Sequence, residues 1–210
     1  MLIEPDALVL FQGDSITDCG RGFDTLDAMG NGYAMMVAAW LAALRPDTAP
    51  RFINRGVSGN CARDLRARWQ RDCLDLQPAW VSILIGINDV WRRYDDDEPT
   101  SLEDFEADYR AILEQTRAAG IRPILCEPFV LPVPPDRARW REDLDPKIDA
   151  VRRLAREFAA PLVPLDGAFA QASTRRPPDF WAPDGVHPTA VGHALIAQTW
   201  LRTVGAPILG

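Results

Sequence analysis

Apolar runs of strand length alternate with longer amphipathic stretches along this chain. Such alternation is typical of repeated strand–helix–strand units, which form a parallel sheet covered by helices on both faces. The run at 80–85 shows no regular alternation of polar residues, as expected for a central strand that is buried on both faces. The pattern predicts an α/β fold with strands at 7–11, 51–54, 80–85, 121–126 and 162–165.

Periodic stretches of helical length lie between these strands. Ser101 is the predicted cap of a helix that ends at Gly120, where a residue without a Cβ atom suits the left-handed conformation. Five prolines between 128 and 146 predict an irregular segment, and the stretch 174–184 is predicted to be a loop. The other predicted helices span 33–44, 62–74, 147–159 and 189–204.

Length, composition and charge limit the class of protein. The 210 residues, 47% of them hydrophobic, fit a single domain spanning 1–210. The 23 basic residues against 30 acidic ones leave a net charge of −7, so neither nucleic acid nor an anionic membrane is expected as a partner. No signal-peptide pattern and no run near ~18 apolar residues is present, which predicts a cytoplasmic protein. Reduced thiols are predicted for four cysteines without CxxC spacing, which are Cys19, Cys61, Cys73 and Cys126.

Ser15 stands where the first predicted strand ends, in the string Gly13-Asp14-Ser15. In an open parallel sheet, ligands bind outside the carboxyl ends of the strands. Gly-Asp-Ser is also a common turn composition, and serine is a frequent helix cap. Ser15 is therefore a candidate nucleophile, and an ordinary turn remains the alternative on this evidence alone.

A serine nucleophile needs a neighbouring base, and the chain has two histidines. His187 lies in a turn-rich loop with Asp184 three residues upstream, so one loop can carry both a base and the carboxylate that orients it. His193 falls within the last predicted helix, where a packing or surface role is expected. The sequence therefore favours His187 as the base and Asp184 as its orienting group.

Acyl transfer also requires hydrogen-bond donors directed at the developing oxyanion. Gly59 follows the second predicted strand, where a glycine lets a backbone N–H approach a ligand closely, and Asn88 follows the third, where its amide can donate. Glycine and asparagine are also standard turn residues. Each is ambiguous by itself, but together with Ser15 and His187 they fall on one predicted edge of the sheet.

These strings resemble, in order and approximate spacing, the four sequence blocks of the SGNH (GDSL-like) hydrolases. The resemblance implies a flavodoxin-like three-layer α/β/α sandwich with a five-stranded parallel sheet. It also implies Ser15 as nucleophile, His187 as base and Asp184 as its orienting carboxylate. The implied oxyanion hole consists of the N–H groups of Ser15 and Gly59 and the side chain of Asn88.

Longer strings around the same blocks, including residues 13–21, 54–60, 85–92 and 186–193, are similar to intracellular bacterial acetylxylan esterases of this superfamily. That similarity implies a small-molecule ester as substrate, namely an acetylated xylo-oligosaccharide. Sugars stack on flat apolar rings, and Trp91 and Trp181 adjoin Asn88 and Asp184. Trp91 and Trp181 are therefore candidate substrate-binding residues, with packing of the loops as the alternative for both rings, and Asp14 is a third candidate. Four further tryptophans are expected in the core, namely Trp40, Trp69, Trp80 and Trp200.

Several alternatives remain open at the level of sequence. A lipolytic esterase, thioesterase or lysophospholipase would use the same triad, and a carbohydrate-binding module would use the fold without catalysis. A flavin-binding protein is disfavoured because the acidic first turn would repel a phosphate. No metal ligand set, GxGxxG string or P-loop string is present, so no cofactor and no metal is predicted. Association into a symmetric homo-oligomer is compatible with the sequence.

Overall fold

A computed structural model describes residues 1–22 and 28–207. Its sheet has five strands in the order β2-β1-β3-β4-β5, and each neighbouring pair is parallel. This is the flavodoxin-like strand order. The parallel five-stranded sheet predicted from the sequence is confirmed. The strands are β1 (Leu8–Gly13), β2 (Arg51–Asn54), β3 (Trp80–Leu84), β4 (Arg122–Cys126) and β5 (Leu162–Val163).

Helices cover both faces of the sheet. Successive side chains of a strand point to opposite faces, so Val9 and Phe11 join one hydrophobic cluster and Leu10 joins the other. The three-layer α/β/α arrangement follows from these two clusters. The helices are α1 (Ser15–Asp18), α2 (Tyr33–Leu44), α3 (Ala62–Ala67), α4 (Trp69–Asp72), α5 (Asn88–Asp95), α6 (Leu102–Ala118), α7 (Arg141–Glu157), α8 (Leu165–Ser173), α9 (Pro178–Trp181) and α10 (Ala190–Thr203).

The polar residue in the central strand has a specific partner. Ser82 lies in β3, and all five residues of that strand are buried. Its hydroxyl accepts a hydrogen bond of 2.9 Å from the indole N–H of Trp200 on α10. A buried hydroxyl costs free energy unless it is paired, so this bond explains how a serine is accommodated between two apolar layers.

Two predicted helix boundaries are wrong. The predicted helix 62–74 is divided into α3 and α4, because the backbone at Arg68 leaves helical geometry and its side chain turns inward. The predicted helix 147–159 begins earlier, since α7 starts at Arg141 and includes Pro146. A proline forfeits one backbone hydrogen bond, and burial of Leu144 and Ile148 on the core face outweighs that loss.

Other differences concern short elements. The fifth strand ends at Val163, and α8, which the sequence analysis did not predict, starts two residues later. The stretch 174–184 contains α9, because Pro178 at the first helical position fixes a helical φ angle. Trp40 is 37% exposed rather than part of the core, and its indole N–H donates to the Pro207 carbonyl at the surface.

The sheet brings the sequence motifs to one edge. β1 ends at Gly13 just before α1, β2 ends before the loop that carries Gly59, and β3 ends four residues before Asn88, the first residue of α5. The four cysteines are free thiols, as predicted. Among the described residues, no helix combines the length and apolar character needed to cross a membrane.

Candidate active site

A hydroxyl, an imidazole and a carboxylate form a continuous hydrogen-bonded chain above the sheet. Ser15 Oγ lies 2.9 Å from Nε2 of His187. Nδ1 of the same ring lies 2.7 Å from Oδ2 of Asp184. A base within hydrogen-bond distance of a nucleophile, itself held by a third group, is the geometry that acyl-transfer triads require.

Tight local packing places Ser15 at the start of α1. A Cβ atom at Gly13 would collide with the carbonyl oxygen of Leu84, so a glycine is needed where β1 passes the end of β3. The side chain of Asp14 then accepts a hydrogen bond of 3.0 Å from the backbone N–H of Ile16. This cap satisfies a free N–H in the first turn and leaves the Ser15 side chain facing outward.

His187 is held by the short loop that precedes α10. Asp184 Oδ1 accepts the backbone N–H groups of Val186 and His187 at 3.0 and 2.7 Å, while its other oxygen binds the ring. Gly185 has φ +81°, and a Cβ atom there would lie 2.5 Å from the carbonyl oxygens of Leu131 and Val133. One aspartate therefore folds the loop and orients the imidazole.

Contact between His187 and Asp184 shifts the pKa values of these two side chains in opposite directions. The hydrogen bond that the ring of His187 donates to Asp184 raises the pKa of His187 above its ordinary value of 6.5. Partial burial opposes ionisation of Asp184, but hydrogen bonds from the ring and the backbone hold its pKa well below the usual range. The carboxylate is therefore ionised near neutral pH and stabilises a positive charge on the ring.

Ser15, Gly59 and Asn88, which carry the three predicted oxyanion donors, line one cleft with a volume of about 400 Å³. Asn88 begins α5, and its Nδ2 donates to the Asn60 carbonyl at 3.0 Å, which fixes the direction of the amide. Gly59 adopts φ +80° in the loop after β2. We call Asp184 and His187 the base side of the cleft, and Gly59 and Asn88 the donor side. The lining residues are Ser15, Ser58, Gly59, Asn88, Trp91, Arg92, Asp96 and His187.

Two of the predicted substrate-binding residues are not brought to this cleft. Asp14 is buried, one of its carboxyl oxygens has no hydrogen-bond partner, and burial raises its pKa to about 7. Trp181 donates its indole N–H to the Arg176 carbonyl and packs edge-on against Phe180, so its ring is engaged by residues of α9 and the turn before it. Trp91 does line the cleft, with its ring centre 5.7 Å from that of His187.

Sequence reasoning missed three residues that line the cleft, namely Ser58, Arg92 and Asp96. Arg92 Nη2 donates to the Gly59 carbonyl at 2.8 Å, which restrains the peptide that carries a predicted donor. Arg92 follows Asn88 by four residues on α5, so both lie on one face of that helix. Helical spacing could have indicated Arg92, but α5 itself was not predicted.

His193 occupies a separate, buried position. Its Nδ1 accepts the backbone N–H of Tyr33 at 3.2 Å, and its Nε2 lies 3.3 Å from the Cys19 sulfur. Burial lowers the pKa of His193 to about 4, so the ring is neutral near pH 7 and serves packing. Within 1–22 and 28–207, no group of His, Cys, Asp or Glu side chains is arranged to hold a metal ion.

Comparison with known sequences gives one family match and similar curated proteins. The model of the GDSL-like lipase/acylhydrolase family matches residues 11–195. An acetylxylan esterase from Geobacillus stearothermophilus is 38% identical over 205 residues, which cover 94% of this chain and 93% of the relative. A thioesterase 1/protease 1/lysophospholipase L1 from Escherichia coli K12 is 27% identical over 187 residues, covering 87% and 82% respectively.

The fold has similar solved structures. A crystal structure of an acetylxylan esterase from Geobacillus stearothermophilus superimposes with a TM-score of 0.92 at 36% identity, covering 99% of this chain and 98% of that one. The overall fold of the chain is therefore already represented among solved structures.

Proposed function

The chain belongs to the GDSL-like lipase/acylhydrolase family and is a carboxylic ester hydrolase, and from this premise we propose that it removes acetyl groups from carbohydrates. Acetylated xylo-oligosaccharides are the proposed substrates, and Ser15, His187 and Asp184 the proposed triad. The hydrogen-bonded chain from Ser15 Oγ to Asp184 Oδ2 is the observation that carries this proposal.

Two half-reactions transfer the acetyl group from sugar to water. Ser15 Oγ attacks the ester carbonyl carbon while Nε2 of His187 takes the hydroxyl proton, and the imidazolium then gives that proton to the departing sugar oxygen. The product of this half is an acetyl-serine. Water, deprotonated by the same imidazole, attacks the acetyl carbon, and the proton returns to Ser15 as acetate leaves.

Negative charge develops on the carbonyl oxygen during both attacks. The backbone N–H groups of Ser15 and Gly59 and the amide of Asn88 are the proposed donors to this oxyanion. One N–H of that amide is held by the Asn60 carbonyl, so the remaining N–H is presented in a fixed direction. Preorganised donors of this kind stabilise the transition state without reorganising during the reaction.

The walls of the cleft favour a short acyl group on a polar alcohol. The lining residues that the structure describes include no aliphatic side chain, whereas Ser58, Arg92 and Asp96 offer hydrogen bonds to hydroxyl groups. A longer acyl chain gains about 0.8 kcal/mol of binding free energy for each CH₂ group only if that group is buried against apolar side chains. Trp91 supplies one flat ring on which a sugar can stack.

Mass spectrometry of acetylated xylo-oligosaccharides, before and after incubation with the protein, tests the substrate directly. We expect stepwise loss of acetyl groups, and no loss with Ser15→Ala. Simple acetylated sugars serve as the comparison. Acetyl loss at equal rates from xylose chains and unrelated acetylated sugars would contradict the assignment to xylo-oligosaccharides, and no loss from either would contradict carbohydrate deacetylation.

A second candidate keeps the triad and changes the acyl group. The similarity to the thioesterase 1/protease 1/lysophospholipase L1 of Escherichia coli supports this candidate. A chain-length series of p-nitrophenyl esters separates the two candidates, because the polar cleft predicts activity that declines steeply beyond propionate. Activity that rises towards longer chains would favour the second candidate.

A further inference from the structure

A buried arginine, Arg68, lies behind the donor side of the cleft. It occupies the break between α3 and α4, and its side chain is 10% exposed. Burial lowers the pKa of its guanidinium below the ordinary value, and the ion pair with Asp72 at 3.3 Å opposes that change. A charge enclosed to this extent needs hydrogen-bond acceptors around it, and those acceptors identify what the arginine holds.

The acceptors lie at the end of β1 and in the loop that follows β2. Nη2 donates to the Gly13 carbonyl at 3.2 Å, and Nη1 donates at 2.8 Å to both the Gln12 side chain and the Arg55 carbonyl. Nε donates to Oδ1 of Asn60 at 2.7 Å. The guanidinium therefore joins the end of β1 to both ends of the loop 55–60.

These contacts lie next to the proposed oxyanion donors. Gly13 is two residues before Ser15, and Asn60 directly follows Gly59. The backbone carbonyl of Asn60 accepts the amide of Asn88, so the residue whose side chain binds the arginine also orients the third donor. A displacement of Asn60 would therefore move the Gly59 peptide and the Asn88 amide together.

We propose that Arg68 is a positioning residue for ester hydrolysis. Its guanidinium holds Gly13 and Asn60 at fixed relative positions and thereby aligns the oxyanion donors. This inference rests on the proposed function. The guanidinium affects the reaction indirectly, through the positions of Gly13 and Asn60, and does not contact the ester. An arginine suits this task because its planar fork presents several donors in fixed directions, whereas a lysine ammonium acts as a point charge.

Kinetics of Arg68 variants on p-nitrophenyl acetate test the proposal. Arg68→Gln should lower kcat roughly 10- to 100-fold, less than the direct loss of a donor, because the donors remain but are misaligned. KM should change less than about twofold, since the oxyanion forms only in the transition state. Arg68→Lys should give an intermediate kcat. A purely structural role would lower the melting temperature without lowering kcat of the folded enzyme, so rates are measured well below each melting point.

Arg71→Gln is the matched control. Arg71 donates to both oxygens of Asp72 and is 77% exposed, so its loss removes an ion pair to the same carboxylate and should leave kcat unchanged. Amide hydrogen exchange over 55–60 supplies a readout that does not depend on turnover, and it should be faster in Arg68→Gln and unaltered in Arg71→Gln.

Wild-type kcat in Arg68→Gln, or unaltered exchange over 55–60, would overturn the proposal. A wild-type protein without esterase activity would overturn the proposed function instead. In that event the exchange comparison alone would decide whether Arg68 holds the loop.

Discussion

The two sides of the cleft are built in different ways. On the base side, Asp184 and His187 are three residues apart in one loop, and their side chains are 42% and 47% exposed. On the donor side, Gly59 comes from the loop after β2 and Asn88 from the start of α5, and the Arg68 side chain behind them is only 10% exposed. A base and its carboxylate can thus be assembled by local hydrogen bonds, whereas aligned donors depend on contacts between distant segments.

Buried carboxylates also support the donor side. Asp18 accepts both the backbone N–H and the hydroxyl of Ser58, at 3.2 and 2.7 Å, which ties α1 to the loop before Gly59. Asp89 accepts the backbone N–H of Ala62 at 3.1 Å, and burial raises the pKa of Asp89 to about 6. Substitution of a supporting residue on the donor side should therefore misalign the donors, whereas substitution on the base side should remove the proposed proton acceptor or its carboxylate.

The largest effect is expected on the base side. His187→Ala removes the proposed acceptor of the Ser15 proton and should lower kcat on p-nitrophenyl acetate about 10⁶-fold, the loss expected when the base of a serine hydrolase triad is removed. The loop should remain folded, because Asp184 still accepts the backbone N–H groups of residues 186 and 187. A smaller loss than that caused by any donor-side variant would break the distinction between the two sides.

A smaller effect is expected from a single donor. Asn88→Ala removes one of the proposed hydrogen bonds to the oxyanion and should lower kcat about 10²–10³-fold, or roughly 2.7–4 kcal/mol of transition-state stabilisation. KM should be nearly unchanged, since the donor acts in the transition state. A rise in KM at constant kcat would instead indicate that Asn88 binds the ground-state ester.

The pH dependence of kcat/KM tests whether Asp184 raises the pKa of His187. Because the folded pKa of His187 is raised above 6.5, kcat/KM should fall about tenfold per pH unit below that pKa, where the ring is already protonated. Asp184→Asn removes the main cause of the rise and keeps an acceptor for the backbone N–H groups. Its acid limb should move to lower pH, and an unmoved limb would contradict this account of the shift.

The smallest effect concerns substrate binding outside the triad. Trp91→Ala should raise KM for an acetylated oligosaccharide about tenfold, equivalent to roughly 1.4 kcal/mol of stacking, and should leave KM for p-nitrophenyl acetate unchanged. Trp181→Ala is the matched control, because its ring is engaged with Phe180 outside the cleft. Equal effects of the two variants would remove Trp91 as a sugar platform.

The same contrast explains what could be predicted from the sequence. Strand positions followed from apolar runs, and Asp184 and His187 could be paired because they lie three residues apart with a glycine between them. Arg68 could not be recognised, since its acceptors at Gly13 and Arg55 are backbone atoms, which carry no sequence signal. Pro146 concealed the start of α7 because tertiary burial outweighed a local preference.

Covalent labelling with a fluorophosphonate tests the central claim, that His187 activates the Ser15 hydroxyl. After digestion, mass spectrometry should find the adduct on the peptide that contains Ser15, and labelling should be lost in Ser15→Ala and strongly slowed in His187→Ala. An adduct on another residue, or equal labelling rates with and without His187, would contradict the claim.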